Sequence, residues 1–495
     1  MKLPSEFEAR ILEWMGEETY RALETALQTE APVSIRANRD KRNEAVAGEP
    51  VPWASMGVYL PQRPTFTFDP LFHAGCYYVQ EASSMFVEQV LRTYVEGPVV
   101  MLDLCAAPGG KSTHARSVLP EGSLLVANEV MRNRSQILAE NLIKWGEAEV
   151  VVTNNDPGDF TGLTDLFDVI LTDVPCSGEG MFRKDPVAVE EWSVDNVQIC
   201  WQRQRRILAD VWPALKPGGL LVYSTCTYNK EEDEENVAWI AGELGAEILE
   251  VPVSREWGIT GNLAGQDFPV YRFLPHKTRG EGFFLAALRK NPVSCPSVSC
   301  PLVRSEESVI LRDDRELLPP FSRQNDREKT KKRKQKGEKG IPSPVTSVPK
   351  EARDWIRQAE DFQFEMRGTK VVAFPKAYAS EYALFQQTLK IIHAGITVGE
   401  VKGKDLIPDH SLAMSTALTE GIFPHVELSY EQAIAYLRKE AVTLDVSVSR
   451  GYVLLTYKDI PLGFAKNIGN RANNLYPQEW RIRSGYLPEE LLFVW

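Results

Sequence analysis

Near the N-terminus, apolar residues recur at helical spacing (Phe7, Ile11, Leu12, Met15), and Val33-Ser34-Ile35-Arg36-Ala37-Asn38 then reads as a short strand. From about residue 97 to 290 short apolar runs alternate with helical patterns. The runs are Val99–Leu102, Leu124–Ala127, Val150–Val152, Val169–Leu171 and Leu220–Tyr223. Continuous runs of this kind suit parallel strands buried under helices on both faces. The fold class expected is therefore α/β, a doubly wound Rossmann-like sheet whose ligands sit at the carboxyl ends of the strands.

The regularity stops after Lys290. Residues 291–350 are rich in Pro, Ser, Lys and Arg, end in Ile341-Pro342-Ser343-Pro344, and read as a linker, with some order open around Ser308–Leu318. Beyond it, 351–495 regains aromatic and β-branched residues, and Val453–Tyr457 with Pro461–Ala465 suggests a small β-rich module. No internal repeat is present. The expected division is an N-terminal part (1–95), a central α/β domain (96–290), the linker (291–350), an intermediate C-terminal region (351–440) and the β module (441–495).

Composition changes this picture little. The chain is 43% hydrophobic and 25% charged, ordinary for a globular protein, and no run approaches the roughly 18 apolar residues that span a bilayer. The N-terminus lacks an apolar stretch of the signal-peptide kind, and seven scattered cysteines suit a reducing, cytoplasmic setting. Neither CxxC nor a paired His-Cys spacing occurs, so no metal site is expected. A net charge of −12 argues against nucleic acid until its distribution is considered: Arg323–Lys339 holds nine Lys/Arg against three Asp/Glu.

The most informative segment is Leu102-Asp103-Leu104-Cys105-Ala106-Ala107-Pro108-Gly109-Gly110-Lys111-Ser112. A strand runs into small residues and then a helix, where the backbone can approach a ligand and free N–H groups can meet an anion. A Walker A loop would need glycine where Cys105 stands, and GxGxxG is absent. Glu129, 18 residues after Lys111, ends the second run, Asp156 follows the third and Asp173 the fourth. Acids at successive strand ends converge on one rim and favour a nucleoside cofactor.

Two cysteines reach the same rim, in Asp173-Val174-Pro175-Cys176-Ser177-Gly178 and in Ser224-Thr225-Cys226-Thr227-Tyr228. Asn229 with Glu232 resembles a capping box opening a helix beside Cys226, and the acidic run Glu231–Glu235 opposes a thiolate there. The residues alone leave Cys176 and Cys226 as equal candidates for a nucleophile.

These segments resemble the Nop/Sun family of RNA cytosine-C5 methyltransferases, and within it the bacterial subgroup acting on small-subunit (16S) rRNA. The likeness runs through Asp69–Glu81, Asp103–Ser112, Asp173–Gly178, Ser224–Tyr228 and Pro275–Phe284. Pro461-Leu462-Gly463, Asn470-Arg471 and Asn474–Pro477 are similar to that subgroup's PUA-like RNA-binding module. The resemblance implies S-adenosylmethionine as cofactor. The loop Cys105, Ala106, Ala107, Pro108, Gly109, Gly110 and Lys111 would hold its methionine moiety, Glu129 the ribose and Asp156 the adenine. Asp173 would lie between cofactor and base, Cys226 would be the nucleophile, and Cys176 would aid product release. RNA would be held by Arg36 and Asn38, by Arg203, Arg205 and Arg206, and by Arg471, Arg481 and Arg483. A tRNA substrate, or a catalytically silent rRNA-binding assembly factor, stays open at this point.

Overall fold

A computed structural model describes residues 2–292, 347–469, 471–486 and 491–495. The basic run Arg323–Lys339 and Asn470 lie outside the described residues.

The central sheet is built from β1 (Val100–Asp103), β2 (Leu124–Asn128), β3 (Val150–Thr153), β4 (Phe167–Asp173), β5 (Leu215–Thr225), β6 (Ala246–Leu249), β7 (Tyr271–Phe273), β8 (Phe283–Lys290) and β9 (Ile391–Ala394). Its order is β6-β8-β5-β4-β1-β2-β3-β9, with β7 paired on β8. The strands β5, β4, β1, β2 and β3 run parallel, as their near-continuous apolar sequences require. The chain turns from one half of the sheet to the other at β1, and the crevice beside it is where such sheets bind ligands. Among the helices covering the faces are α1 (Gly110–Val118), α2 (Arg132–Trp145), α3 (Val194–Val211) and α4 (Glu234–Glu243). Among the described residues, no helix is long and apolar enough to cross a membrane.

The last strand of this sheet, β9, comes from the region C-terminal to the expected linker and pairs antiparallel with β3. Phe374, Tyr382, Phe385 and Leu389 from that region share a core with Phe160, Phe167 and Leu215. Four further strands, Phe362–Arg367, Lys370–Pro375, Ile396–Lys402 and Asp405–Pro408, form their own antiparallel sheet. The final module is a sheet of His425–Glu427, Gly451–Tyr457, Ile460–Asn467 and Ala472–Asn474.

At the other end, two helices (Ser5–Met15 and Glu17–Leu27) precede the strand Val33–Ala37, which lies between Gly57–Leu60 and Tyr77–Val79. The first helix buries Phe7 against Phe182 and Trp192, centroids 5.1 and 5.6 Å apart. Ile35, Leu71 and Tyr77 join Tyr436, Val453 and Leu462 of the C-terminal module in one apolar cluster.

The N-terminal part meets α2 at a tight joint. Asn38 Nδ2 donates to the carbonyls of Gly75 and Trp145, each at 3.0 Å. Gly75 has φ +75°, and a Cβ there would stand 2.0 Å from the Lys144 carbonyl oxygen. Gly75→Ala is expected to destabilise the chain by about 3 kcal/mol, combining overpacking with a left-handed backbone. Urea denaturation checks this; a change under about 1 kcal/mol would show that the joint yields.

Candidate active site

The loop between β1 and α1 is held open toward a cleft from behind. Arg134 donates to the Ala107 carbonyl (2.7 Å), Asn141 to that of Pro108 (2.8 Å) and Asn128 to that of Leu104 (3.1 Å). With these carbonyls engaged by α2 and β2, the first N–H groups of α1 remain as anion donors. Gly109, at φ +114°, makes the left-handed step into the helix. Asp103 is fully buried at the end of β1. Its Oδ2 accepts from Ser112 Oγ at 2.6 Å, while Oδ1 has no hydrogen-bond partner among the described residues, and the residue lines the cleft. Burial pushes the Asp103 carboxyl up to about 7.

The cleft has a volume of about 750 Å³. Cys105, Ala106, Ala107, Pro108, Gly110 and Lys111 line one side, and Asp173 and Cys226 another. Lys111 Nζ lies 2.8 Å from Asp173 Oδ2, and Ser224 Oγ donates to Asp173 Oδ1 at 2.8 Å. Cys226 Sγ is 3.1 Å from Cys176 Sγ, and the Cys226 N–H approaches the Cys176 sulfur at 3.4 Å. Cys226, not Cys176, belongs to the cleft wall. The contact with Cys226, and burial, push the Cys176 thiol well above the usual thiol range.

Two buried carboxylates hold the thiols together, each lying on one cysteine's loop and binding the other. Glu179, after Cys176, accepts at Oε2 from Thr227 Oγ1 (2.6 Å), Tyr228 N (2.7 Å) and Asn229 N (2.9 Å). Glu232, after Cys226, accepts from Ser177 N (3.0 Å), Gln204 Nε2 (2.7 Å) and Asn229 Nδ2 (2.8 Å). Gly180 allows the loops to touch: its N–H donates to the Cys226 carbonyl at 2.9 Å, and a Cβ there would stand 2.9 Å from the same oxygen. Neither carboxylate was singled out as a site residue in the sequence, because burial and partners decide their role.

The expected capping box is therefore not closed. Asn229 Oδ1 does accept from Glu232 N (2.9 Å), but the Asn229 N–H that would close the box donates to Glu179 instead, and α4 begins at Glu234. The acidic run is also largely countered: Glu231 pairs with Arg10, and Asp233 and Glu234 with Arg272.

Burial of Asp103 and Glu232 has a pH consequence. Desolvation raises both carboxyls to about 7, so the folded chain holds protons that the unfolded chain releases at lower pH. This contribution to stability is fullest below their unfolded values and is lost as pH rises from about 4 through about 7. Thermal stability of the ligand-free chain is expected to fall across that range. Asp103→Asn, which cannot ionise, flattens the slope; an unchanged slope would remove Asp103 from this account.

The remaining sequence candidates divide by burial. Glu129 is buried at the end of β2, where it accepts from Met131 N (2.8 Å) and pairs with Arg134 (3.4 Å). Asp156 is exposed and caps a short turn by accepting from Gly158 N. Both lie on the opposite side of β1 from Asp173 and Cys226.

Arg36 and Asn38 are not RNA-facing. Arg36 is 0% exposed, bonded to Gln80 and Thr113 and stacked on Trp145; Asn38 is buried in the joint to α2. Arg205 packs against Trp201 and Trp239 and donates to Asn236. Arg471 and Arg483 are exposed, whereas Arg203 and Arg481 are half-buried.

The 16S rRNA methyltransferase RsmB/F family matches residues 93–289, the N-terminal domain of 16S rRNA methyltransferase RsmF matches 3–82, and the methyltransferase RsmF PUA domain matches 423–482. Ribosomal RNA small subunit methyltransferase F of Aliivibrio fischeri is 30% identical over 89% of this chain and 86% of its own length. The chain belongs to the RsmB/F methyltransferase family. The corresponding Cronobacter sakazakii protein is 30% identical over 88% of this chain and 85% of its own. A methyltransferase homolog from Pyrococcus horikoshii superposes with a TM-score of 0.50 at 28% identity, covering 58% of this chain and 95% of that one. NSun6 from Pyrococcus horikoshii, solved with SFG, shares the fold at a TM-score of 0.50 and 22% identity, covering 59% and 99%.

As a member of this family the chain is an S-adenosylmethionine-dependent methyltransferase. Its residues fit that cofactor. The unpartnered Asp103 Oδ1 suits the α-ammonium, the start of α1 the carboxylate, and the small residues of the loop allow close approach.

Proposed function

We propose that this enzyme methylates carbon 5 of a cytosine in 16S rRNA through a covalent bond between Cys226 and C6 of the base. The observation that carries the reading is the pair of thiols 3.1 Å apart, with Cys226 in the cleft wall beside Asp173 and Lys111. Carbon 5 of cytosine is a weak nucleophile, and addition of a thiolate at C6 makes it an enamine-like carbon. Asp173 accepts from the 4-amino group of the base, and the Lys111 ammonium beside it offsets the negative charge that develops at N3. S-adenosylmethionine supplies the electrophilic methyl group. The C5 proton then leaves to a base, the electron pair re-forms the C5–C6 double bond, and the Cys226–C6 bond breaks. Cys176, kept neutral, donates its S–H to the departing Cys226 sulfur.

Loop residues Cys105–Lys111 hold the methionine part in this reading, Glu129 the ribose and Asp156 the adenine. Such a base has to leave its stack to be reached. The PUA-type module, with Arg471 and Arg483 exposed, and Arg203 on α3 supply the grip on RNA. Its setting is the cytoplasm, where small-subunit rRNA resides.

The test is transfer of labelled methyl groups to 16S rRNA, followed by digestion to nucleosides. Label is expected in 5-methylcytidine. Label in another nucleoside, or only in tRNA, would sink the assignment.

A further inference from the structure

We propose that Gln80, from the N-terminal part of the chain, is a cofactor-binding residue that donates to the carboxylate of S-adenosylmethionine, and that Arg36 is the positioning residue that aims it. Gln80 is 5% exposed yet lines the cleft. It stands against the first residue of α1: a Cβ on Gly110 would lie 3.8 Å from Gln80 Cγ and 3.9 Å from its Cδ. The start of α1 offers N–H groups suited to an anion, and the unpartnered Asp103 Oδ1 suits a cation at the other end of the same subsite.

An amide can present either its oxygen or its nitrogen, and only the nitrogen can serve a carboxylate. Arg36 decides which. Its Nε donates to Gln80 Oε1 at 2.8 Å, which commits the oxygen to the interior. Nε2 is left as the cleft-facing end, reaching Ser84 Oγ, itself a cleft residue, at a long 3.4 Å. Arg36 is in turn held rigidly by Thr113 Oγ1 (2.6 Å), by Ser117 Oγ (3.3 Å) and by the Trp145 ring (4.2 Å). Its hydrogen-bond partners are all neutral, and burial lowers the guanidinium to about 9. A buried cation beside the first turn of α1 also favours an anion there. Arg36 thus serves the cofactor site from the interior.

The proposal rests on the cofactor assignment and is independent of which base is methylated. Equilibrium binding of two probes tests it: S-adenosylhomocysteine, which carries the amino-acid end, and 5′-methylthioadenosine, which lacks it. Gln80→Ala is expected to weaken S-adenosylhomocysteine by about ten- to a hundred-fold, the scale for a hydrogen bond to a charged group, and to leave methylthioadenosine within about two-fold. Gln80→Glu is expected to weaken S-adenosylhomocysteine further while thermal stability holds or rises, because its carboxylate pairs with Arg36. Arg36→Lys should weaken S-adenosylhomocysteine in the wild-type background and add nothing in Gln80→Ala. Equal losses for both probes would reduce Gln80 to a support of the loop. Unchanged S-adenosylhomocysteine affinity with weaker rRNA binding would assign Gln80 to RNA; either result overturns the proposal. Failure of the unmutated chain to bind either probe would instead defeat the cofactor assignment on which it rests.

Discussion

Cys226→Ala is expected to abolish methyl transfer, by about 10⁵-fold or more, whereas Cys176→Ala leaves the enzyme attached to its RNA. The first figure is the scale of loss when a covalent nucleophile is removed from an enzyme that has no alternative route. The second follows from the placement of the thiols. Cys226 forms part of the cleft wall, and Cys176 touches it from behind at 3.1 Å. A thiol held protonated by its neighbour and by burial is a poor nucleophile, and at 3.1 Å it keeps a proton within reach of the leaving sulfur. Without that donor, addition and methylation proceed and elimination stalls. The measurement is denaturing electrophoresis with labelled rRNA: a shifted, denaturant-resistant species for Cys176→Ala and none for Cys226→Ala. Methylation by Cys226→Ala, with none by Cys176→Ala, would exchange the two roles.

Glu179→Ala has the largest expected effect on stability, about 4 kcal/mol. Removing this carboxylate strands the N–H groups of Tyr228 and Asn229, the Thr227 hydroxyl and the Trp192 indole N–H, which donates to Oε1 at 3.0 Å, all in a site 1% exposed. Each orphaned buried donor costs about 1–3 kcal/mol, partly recovered by relaxation. The damage should be local to the chemistry. The turn holding Cys226 loosens, so turnover falls, while S-adenosylhomocysteine still binds the loop after β1. Urea denaturation and ligand binding on the same variant separate these effects. Loss of cofactor binding in a folded variant would mean that the two halves of the cleft are not independent.

The parts of the site that were legible in the sequence are contiguous in the chain. Strand, small residues and helix start follow one another from Leu102 to Ser112, so their chemistry and geometry are both local. The apolar runs predicted the parallel strands because burial on both faces demands unbroken apolar sequence. The rim placement of Asp173 and Cys226 follows from the same argument. Arg36 shows where such reading stops. Its side chain is polar and long, and the local pattern of Val33–Asn38 gives no sign that Thr113 and Trp145, far along the chain, will enclose it.

By itself the sequence determined the fold class and the placing of the loop from Cys105 to Lys111 and of Cys176 and Cys226 at the carboxyl ends of the strands, because these depend on residue type and short-range order. Only the tertiary structure decided which of the two thiols lines the cleft, which arginines are buried, and that Glu179 and Glu232 cross between the two cysteine loops. It also decided that β9, from beyond the expected linker, completes the catalytic sheet, and that Ile35 and Val453 share one core. These outcomes turn on desolvation and on partners tens to hundreds of residues away. A side chain's burial is set by what packs on it in space, which neighbours in sequence do not encode.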